Sequence, residues 1–434
     1  MPVEMILSLG SVAAILLLVY AGMPVALVLA LVSGVALFMH SGSLDLPLYL
    51  AVAAASDGIS SYSFGVVPLF VLMGAFVSEA DLGRDAFRVA NAYLGRTRGG
   101  LGVATVVANA VFAAITGISI ASAAIFSRVA VPEMRRFGYG RRFSAGVVAG
   151  SSILGMLMPP SVLLIVYAII AEQSVAGMFR AAVAPALILT VIYCVGIMLM
   201  ARFAPTFVQP HARRVDAERL GAFGVVRLAG PITLLVVMVL GGIYGGVFTP
   251  TEAGAAGAAL ALLVVIAKRR FNRTSFWKAL LDSGRITASI LFLIICATMY
   301  SRLLGITGMP YMLTQWIASI DMSFTALMIV YCLLLVLLGM ILDSTSTMLI
   351  LIPIFLPAVV HFGADPVWFG VLTVLGAEIG LLTPPLGISV FVVKDAIGDP
   401  STSLKDVFRG SYPFAAMMAL LLLSLVLFPQ ITQW

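Results

Sequence analysis

Charge is scarce in this sequence: Asp, Glu, Lys and Arg together make up 10% of its 434 residues. Soluble domains carry about 25%, so a water-facing globule of this length is excluded. Histidine is nearly absent, and His40, His211 and His361 fall in loops or at the ends of apolar runs. No Ser-His pair or metal-ligating cluster is therefore visible, and neither an enzyme nor a bound cofactor is expected. Cys194, Cys296 and Cys332 lie in apolar runs without paired spacing, which argues against a disulfide framework and a thiolate metal site. No Gly-x-x-x-x-Gly-Lys loop is present, so ATP is not expected to supply energy within this chain. Glu4 and the lack of a basic region before the first apolar stretch favour a retained first span over a cleaved signal peptide.

What fills the sequence instead is apolar: 62% of residues are hydrophobic and the mean hydropathy is +1.13. Many runs approach the ~20 residues needed to cross a bilayer as a helix. An all-α polytopic membrane protein is expected, with lipid as its surroundings. The net charge of +6 does not point to nucleic acid, because the basic residues sit in short clusters between apolar runs, as the positive-inside rule describes.

The order of runs is informative. Apolar stretches cover residues 4–21, 24–39 and 65–80, with a mixed stretch carrying Asp45 and Asp57 between the last two. Arg84, Arg88, Arg96 and Arg98 follow and mark a cytoplasmic side. Counting back three crossings puts the N-terminus in the periplasm. Residues 99–131 are interrupted at Thr116-Gly117-Ile118-Ser119 and are followed by Arg135, Arg136, Arg141 and Arg142. Basic flanks at both ends read as a re-entrant helical hairpin, the alternative being two short full spans. Residues 143–176 form a span broken at Pro159-Pro160, and 178–203 return to the cytoplasmic side. The polar stretch 205–229, with His211, Arg213, Arg214, Asp216, Glu218 and Arg219, reads as a cytoplasmic linker.

Beyond the linker the order begins again. A second hairpin is expected over about 324–360, interrupted at Asp343-Ser344-Thr345-Ser346-Thr347, and a second broken span over 366–398 at Pro384-Pro385. The second hairpin's flanks carry Asp321, His361 and Asp365 but no Lys or Arg, so it should enter from outside. Pro24 lies 227 positions before Thr251, Asp57 lies 225 before Asp282, and Pro159 lies 225 before Pro384. Near-constant offsets with opposite charge bias predict two inverted-topology repeats, 1–204 and 230–434, as in many secondary transporters.

A proline removes the helix bond to the carbonyl four residues earlier. The two proline pairs should thus free the carbonyls of Gly155 and Met156, and of Gly380 and Leu381. Unpaired groups in hydrocarbon cost several kcal/mol, so a broken span persists only where protein or a wet cavity meets it. Half-helix N-termini can hold an anion, while carbonyl ends and hydroxyls can hold Na⁺. Candidate binding residues in the first half are Thr116, Gly117, Ser119, Gly155, Met158, Pro160 and Ser161. In the second half they are Asp343, Ser344, Thr345, Ser346, Gly380, Thr383, Pro385 and Gly387. Each also has a plainer reading: Ser and Thr in apolar helices often bond only a preceding carbonyl, and a proline pair can be a kink. Asp343 and Glu378 are harder to set aside, since intramembrane acids are costly.

Four segments then resemble a known family: Gly150-Ser-Ser-Ile-Leu-Gly-Met-Leu-Met-Pro-Pro-Ser161 with Val166-Tyr167 and Glu172-Gln-Ser174 after it, Phe248-Thr-Pro-Thr-Glu-Ala253, Gly339-Met-Ile-Leu-Asp343, and Gly380-Leu-Leu-Thr-Pro-Pro-Leu-Gly387. The chain is similar, over nearly its whole length, to the large membrane subunit of tripartite ATP-independent periplasmic (TRAP) transporters, within the ion-transporter superfamily. The tip Thr116-Gly-Ile-Ser119 departs from the family's Ser-Gly-Ser-Ser. The resemblance implies an elevator-type symporter of the bacterial inner membrane, with scaffold and transport domains, coupling Na⁺ to uptake of a small organic anion such as a dicarboxylate or sugar acid. It implies two partners, a small four-helix membrane subunit and a periplasmic substrate-binding protein. A self-sufficient Na⁺/carboxylate symporter, a passive channel and a non-transporting scaffold are the competing readings.

Overall fold

The computed structural model describes residues 3–60, 62–208 and 220–432, and no strand occurs among them. The first helices are α1 (Val3–Tyr20), α2 (Val25–Ser41), α3 (Asp45–Ser60), α4 (Val66–Glu79) and α5 (Leu82–Leu94). Next come α6 (Gly100–Thr116), α7 (Ser119–Arg136), α8 (Arg141–Ser152), α9 (Leu154–Leu157), α10 (Val162–Ile170), α11 (Val175–Phe203) and α12 (Pro205–Val208). The second half holds α13 (Ala222–Val236), which runs through a π-helical turn into α14 (Gly242–Tyr244), then α15 (Pro250–Ala267), α16 (Arg273–Ile306) and α17 (Met309–Ser319). It ends with α18 (Phe324–Gly339), α19 (Ser344–His361), α20 (Pro366–Gly380), α21 (Ile388–Ile397) and α22 (Leu404–Leu427). Six helices among the described residues are long and apolar enough to cross a membrane, or up to eight if each bent pair counts as one.

Local signals account for several boundaries. Thr249 and Glu252 form a reciprocal capping box at the start of α15, with Pro250 in its first turn. Ser403 and Asp406 do the same for α22. Each pair satisfies orphan N–H groups that a helix start cannot bond internally.

Some elements differ from the sequence-based expectation. Helix α13 begins at Ala222, so 222–229 of the expected linker are helical, as are Pro205–Val208. His211, Arg213, Arg214, Asp216, Glu218 and Arg219 lie outside the described residues. The mixed stretch around Asp45 and Asp57 is the helix α3, with Asp45 in its first turn, where an acid favours the helix dipole. Asp282 sits inside the 34-residue α16, which at 1.5 Å per residue is about 51 Å long. Charges that look like interruptions are tolerated there because a helix this long outreaches the ~30 Å hydrocarbon core. Helix α5 turns from α4 by 63°, and its buried face of Leu82, Ala86, Phe87 and Ala90 backs a polar face with Arg84 and Arg88.

Packing divides the helices. Helix α16 runs along α2, α3 and α4, and α15 lies on α4. Lys268, the C-cap of α15, bonds the carboxylate of Asp85 and the Ala80 carbonyl, fixing α5 to that group. Elsewhere α8 packs on α22 and α7, α7 on α21, and α18 on α20. Gly146 and Gly410 let α8 and α22 touch backbone to backbone: a Cβ at Gly410 would lie 1.9 Å from the Arg142 carbonyl oxygen. At the same end Arg135 meets Asp399 at 2.5 Å, Arg142 meets Asp406 at 2.8 Å and Arg141 donates to the Ser401 carbonyl at 2.7 Å. Ser401, through its hydroxyl and amide, and then Arg135 hold the Asp399 carboxyl well below the usual carboxylate range.

Candidate functional site

The first proline pair stops one helix and Ser161 starts the next. Pro159-Pro160 is a cis peptide, Met158 is extended, and Ser161 caps α10 by accepting from the Leu164 amide at 3.4 Å. The same hydroxyl donates to the Met156 carbonyl. That carbonyl was expected to be free; a serine five residues on folds back and takes it. The break, Arg141–Leu157 to Val162–Ile170, bends by 42°.

The tip between α6 and α7 seats on this break. Thr116 ends α6 with its hydroxyl on the Phe112 carbonyl at 3.1 Å, Gly117 is left-handed at φ 63°, and Ser119 opens α7. The Val162 amide donates to the Gly117 carbonyl at 3.2 Å. A Cβ at Gly117 would sit 2.5 Å from the Pro160 carbonyl oxygen, and one at Gly155 would sit 2.9 Å from the backbone of Ile118 and Ser119. Glycine is required at both places because backbone meets backbone. Thr116, Gly117, Ser119, Gly155, Met158, Pro160 and Ser161 are thus brought together, and all are buried. The hydroxyl oxygens of Ser119 and, one turn on, Ser122 are buried with no hydrogen-bond partner among the described residues.

The second half repeats the arrangement with different chemistry. Gly339, the last residue of α18, abuts Gly380, the last of α20: a Cβ at Gly380 would lie 2.4 Å from the Gly339 carbonyl carbon. The Leu386 amide donates to the Met340 carbonyl at 3.2 Å. Pro384-Pro385 is cis, and Gly387 is left-handed at φ 54°. Asp343 caps α19, accepting from the Ser346 amide at 3.2 Å and from the Ser346 hydroxyl. The helix resumes at Ser344, so Ser344, Thr345 and Ser346 form its first turn. The Gly380 carbonyl was also expected to be free, yet it accepts from the Thr383 amide at 3.0 Å and the Thr383 hydroxyl at 2.9 Å.

The two acids beside the second break, Asp343 and Glu378, part company. Asp343 is exposed, as is Pro385, while Thr345 and Thr383 are half-buried. Glu378 is fully buried. Its Oε1 accepts from the Ser344 hydroxyl at 2.7 Å, and its Oε2 has no partner among the described residues. A buried carboxyl with one oxygen unmet is costly, so Glu378 belongs with the site residues. The sequence did not show that Ser122 and Ser389, whose hydroxyls are also unmet, belong beside them; for Ser122 the only signal is its three-residue spacing from Ser119, which shares a helix face.

The halves interlock. Helices α9 and α10 lie on α20, α10 also touches α19, and α7 packs along α21. No group of three or more His, Cys, Asp or Glu that could hold a metal ion occurs among the described residues. The donors are hydroxyls, backbone carbonyls and carboxylates, the hard oxygen set that suits alkali and alkaline-earth cations.

Comparison with known proteins gives the family of the chain. The chain is 35% identical to the C4-dicarboxylate TRAP transporter large permease protein DctM of Pseudomonas aeruginosa, covering 86% of this chain and 85% of that protein. It is 29% identical to the sialic acid TRAP transporter large permease protein SiaM of Vibrio cholerae, covering 98% and 97%. The fold resembles the crystal structure of the Alcanivorax borkumensis YdaH transporter, with a TM-score of 0.64 at 15% identity over 89% of each chain. Residues 12–431 match the model of the tripartite ATP-independent periplasmic transporter, DctM component. The chain therefore belongs to the DctM family, the large permease component of TRAP transporters, and is a multi-pass membrane protein.

Proposed function

We propose that this permease couples Na⁺ entry to the uptake of a small organic anion across the bacterial inner membrane. The observation that carries the reading is the duplicated seat of tip on break: Gly117 against Pro160 and Val162, and Gly339 and Met340 against Gly380 and Leu386. Each seat gathers hydroxyls and backbone oxygens where a helix ends, which suits Na⁺, beside a helix start, which suits an anion.

In this reading the halves 1–204 and 230–434 are inverted repeats. The Arg-rich flanks face the cytoplasm and the N-terminus lies in the periplasm. Helices α6–α10 and α18–α21 carry the site and move as a transport domain against a scaffold that includes α2–α4, α15 and α16. Ser119 and Thr116 in one seat, and Ser344, Thr345, Ser346 and Thr383 in the other, supply Na⁺ ligands. The half-helix starts at Ser161 and Gly387 face the substrate's carboxylate. The buried first seat and the partly exposed second seat fit a site that opens to one side at a time.

Relatives named for a C4-dicarboxylate and for sialic acid support a carboxylate substrate without choosing one. A separate small membrane subunit would pack on the scaffold, and a periplasmic binding protein would deliver the anion. Uptake of labelled C4-dicarboxylates and sialic acid by proteoliposomes, with and without a Na⁺ gradient, tests the coupling. Accumulation indifferent to Na⁺ would sink it.

A further inference from the structure

A cavity of about 500 Å³ lies between the amphipathic helix α5 and the outer arm α7, away from both proline breaks, and is lined by Arg84, Arg88, Arg128 and Arg136. Phe87, Val129 and Phe137 supply apolar wall, and Glu133 is the one acid among its lining residues. Glu133 meets Arg136 only at 4.0 Å, and Arg84 is held by Asp81 at 3.5 Å. Neither exposed pair neutralises its guanidinium strongly. Arg128 has no ion pair among the described residues. It lies eight residues before Arg136, two turns or about 12 Å along α7. Its side chain is exposed, so an unpaired guanidinium is open to an anion entering the cavity.

We propose that this cavity binds a phosphate-bearing anion, the phosphodiester headgroup of an acidic phospholipid, bridging α5 to α7. Guanidinium forks match phosphate oxygens with paired hydrogen bonds, and basic pockets between helices at a membrane face are suited to acidic headgroups. The mixed wall favours an amphiphile: Phe87, Val129 and Phe137 offer surface to glycerol and upper acyl carbons while the arginines hold the phosphate. A bound headgroup ties α5, which Lys268 fixes to α15, to the arm α7 that carries Ser119.

The test uses the purified chain stripped of lipid in neutral detergent. Phosphatidylglycerol, phosphatidylcholine and inorganic phosphate are each titrated while retained ligand is counted by native mass spectrometry and thermal unfolding is followed. Saturable retention of phosphatidylglycerol, weakened on the order of tenfold in Arg128→Gln and in Arg136→Gln and unchanged in Lys278→Gln, an exposed position on α16 outside the cavity, supports a lipid headgroup. The same pattern with inorganic phosphate supports the site but assigns it to a soluble anion. Equal retention of phosphatidylcholine, or phosphatidylglycerol retention untouched by both arginine substitutions, overturns the proposal. Because Arg136 is exposed at the rim, its variant keeps the test decisive if the Arg128 variant fails to fold.

Discussion

The amide of Val162 donates to the carbonyl of Gly117 at 3.2 Å, joining the first residue of the helix after one break to the tip of a hairpin 45 residues earlier in the sequence. Gly117 has no room for a side chain, and neither has Gly155 on the other side of the same tip. Gly117→Ala and Gly155→Ala should each cost about 1–3 kcal/mol of stability, because the clashing neighbours are backbone that cannot rotate away. Uptake should fall further than stability does, since the tip and break shift apart. Thermal unfolding alongside Na⁺-driven uptake checks this; two variants with full uptake would show that the seat is not part of the pathway.

Ser119 gives a prediction with two signs. Its hydroxyl is buried with no hydrogen-bond partner among the described residues, so Ser119→Ala removes an unmet group and should leave folding stability unchanged or slightly raised. If that hydroxyl waits for Na⁺, the same variant lowers apparent Na⁺ affinity. Thr345→Ala, in the first turn of α19, should also weaken Na⁺ dependence. Na⁺ titration of uptake in both variants is the measurement, and unchanged affinity in both refutes the assignment.

Ser344 donates the one hydrogen bond to the buried Glu378 carboxyl among the described residues, at 2.7 Å. Ser344→Ala leaves both oxygens unmet and should destabilise the protein by about 1–3 kcal/mol. Denaturation of the variant in detergent reads this directly, and no loss of stability would mean that another group satisfies Glu378.

The Arg135–Asp399 contact joins α7 to the α21–α22 loop. Asp399 is held below the usual carboxylate range, first by Ser401 and then by Arg135. A depressed carboxyl contributes stability that is fully present above its unfolded value and lost as pH falls through its folded one. Stability should therefore be insensitive to this group near neutral pH and decline only below about pH 4, where free carboxylates begin to protonate. In Ser401→Ala, with the hydroxyl donor gone, the decline should begin at the same pH but be smaller and end at higher pH; coincident acid-unfolding profiles for the two proteins would contradict this.

The sequence made the interruptions legible because their causes are local. Two consecutive prolines break a helix wherever they stand, and the structure ends α9 and α20 just before Pro159 and Pro384. Gly117 and Gly387 fall at left-handed positions that glycine marks in advance. Less legible was what happens to the freed groups. Ser161, just after its proline pair, and Thr383, just before its own, turn back onto the Met156 and Gly380 carbonyls, a choice set by the local path of the chain around each break. Nor does spacing distinguish Asp343, an exposed helix cap, from Glu378, buried against α19, because burial depends on which helices meet. Arg84 and Arg88 read as a flank, yet they sit on an amphipathic helix turned 63° from its predecessor.

On the function proposed above, Na⁺ drives this permease and it works only within its tripartite assembly. Proteoliposomes holding the chain with its small membrane subunit, given the ligand-loaded binding protein, should accumulate the anion only under an inward Na⁺ gradient, and omission of any one component should abolish accumulation. Accumulation by this chain alone, or without Na⁺, would contradict the account.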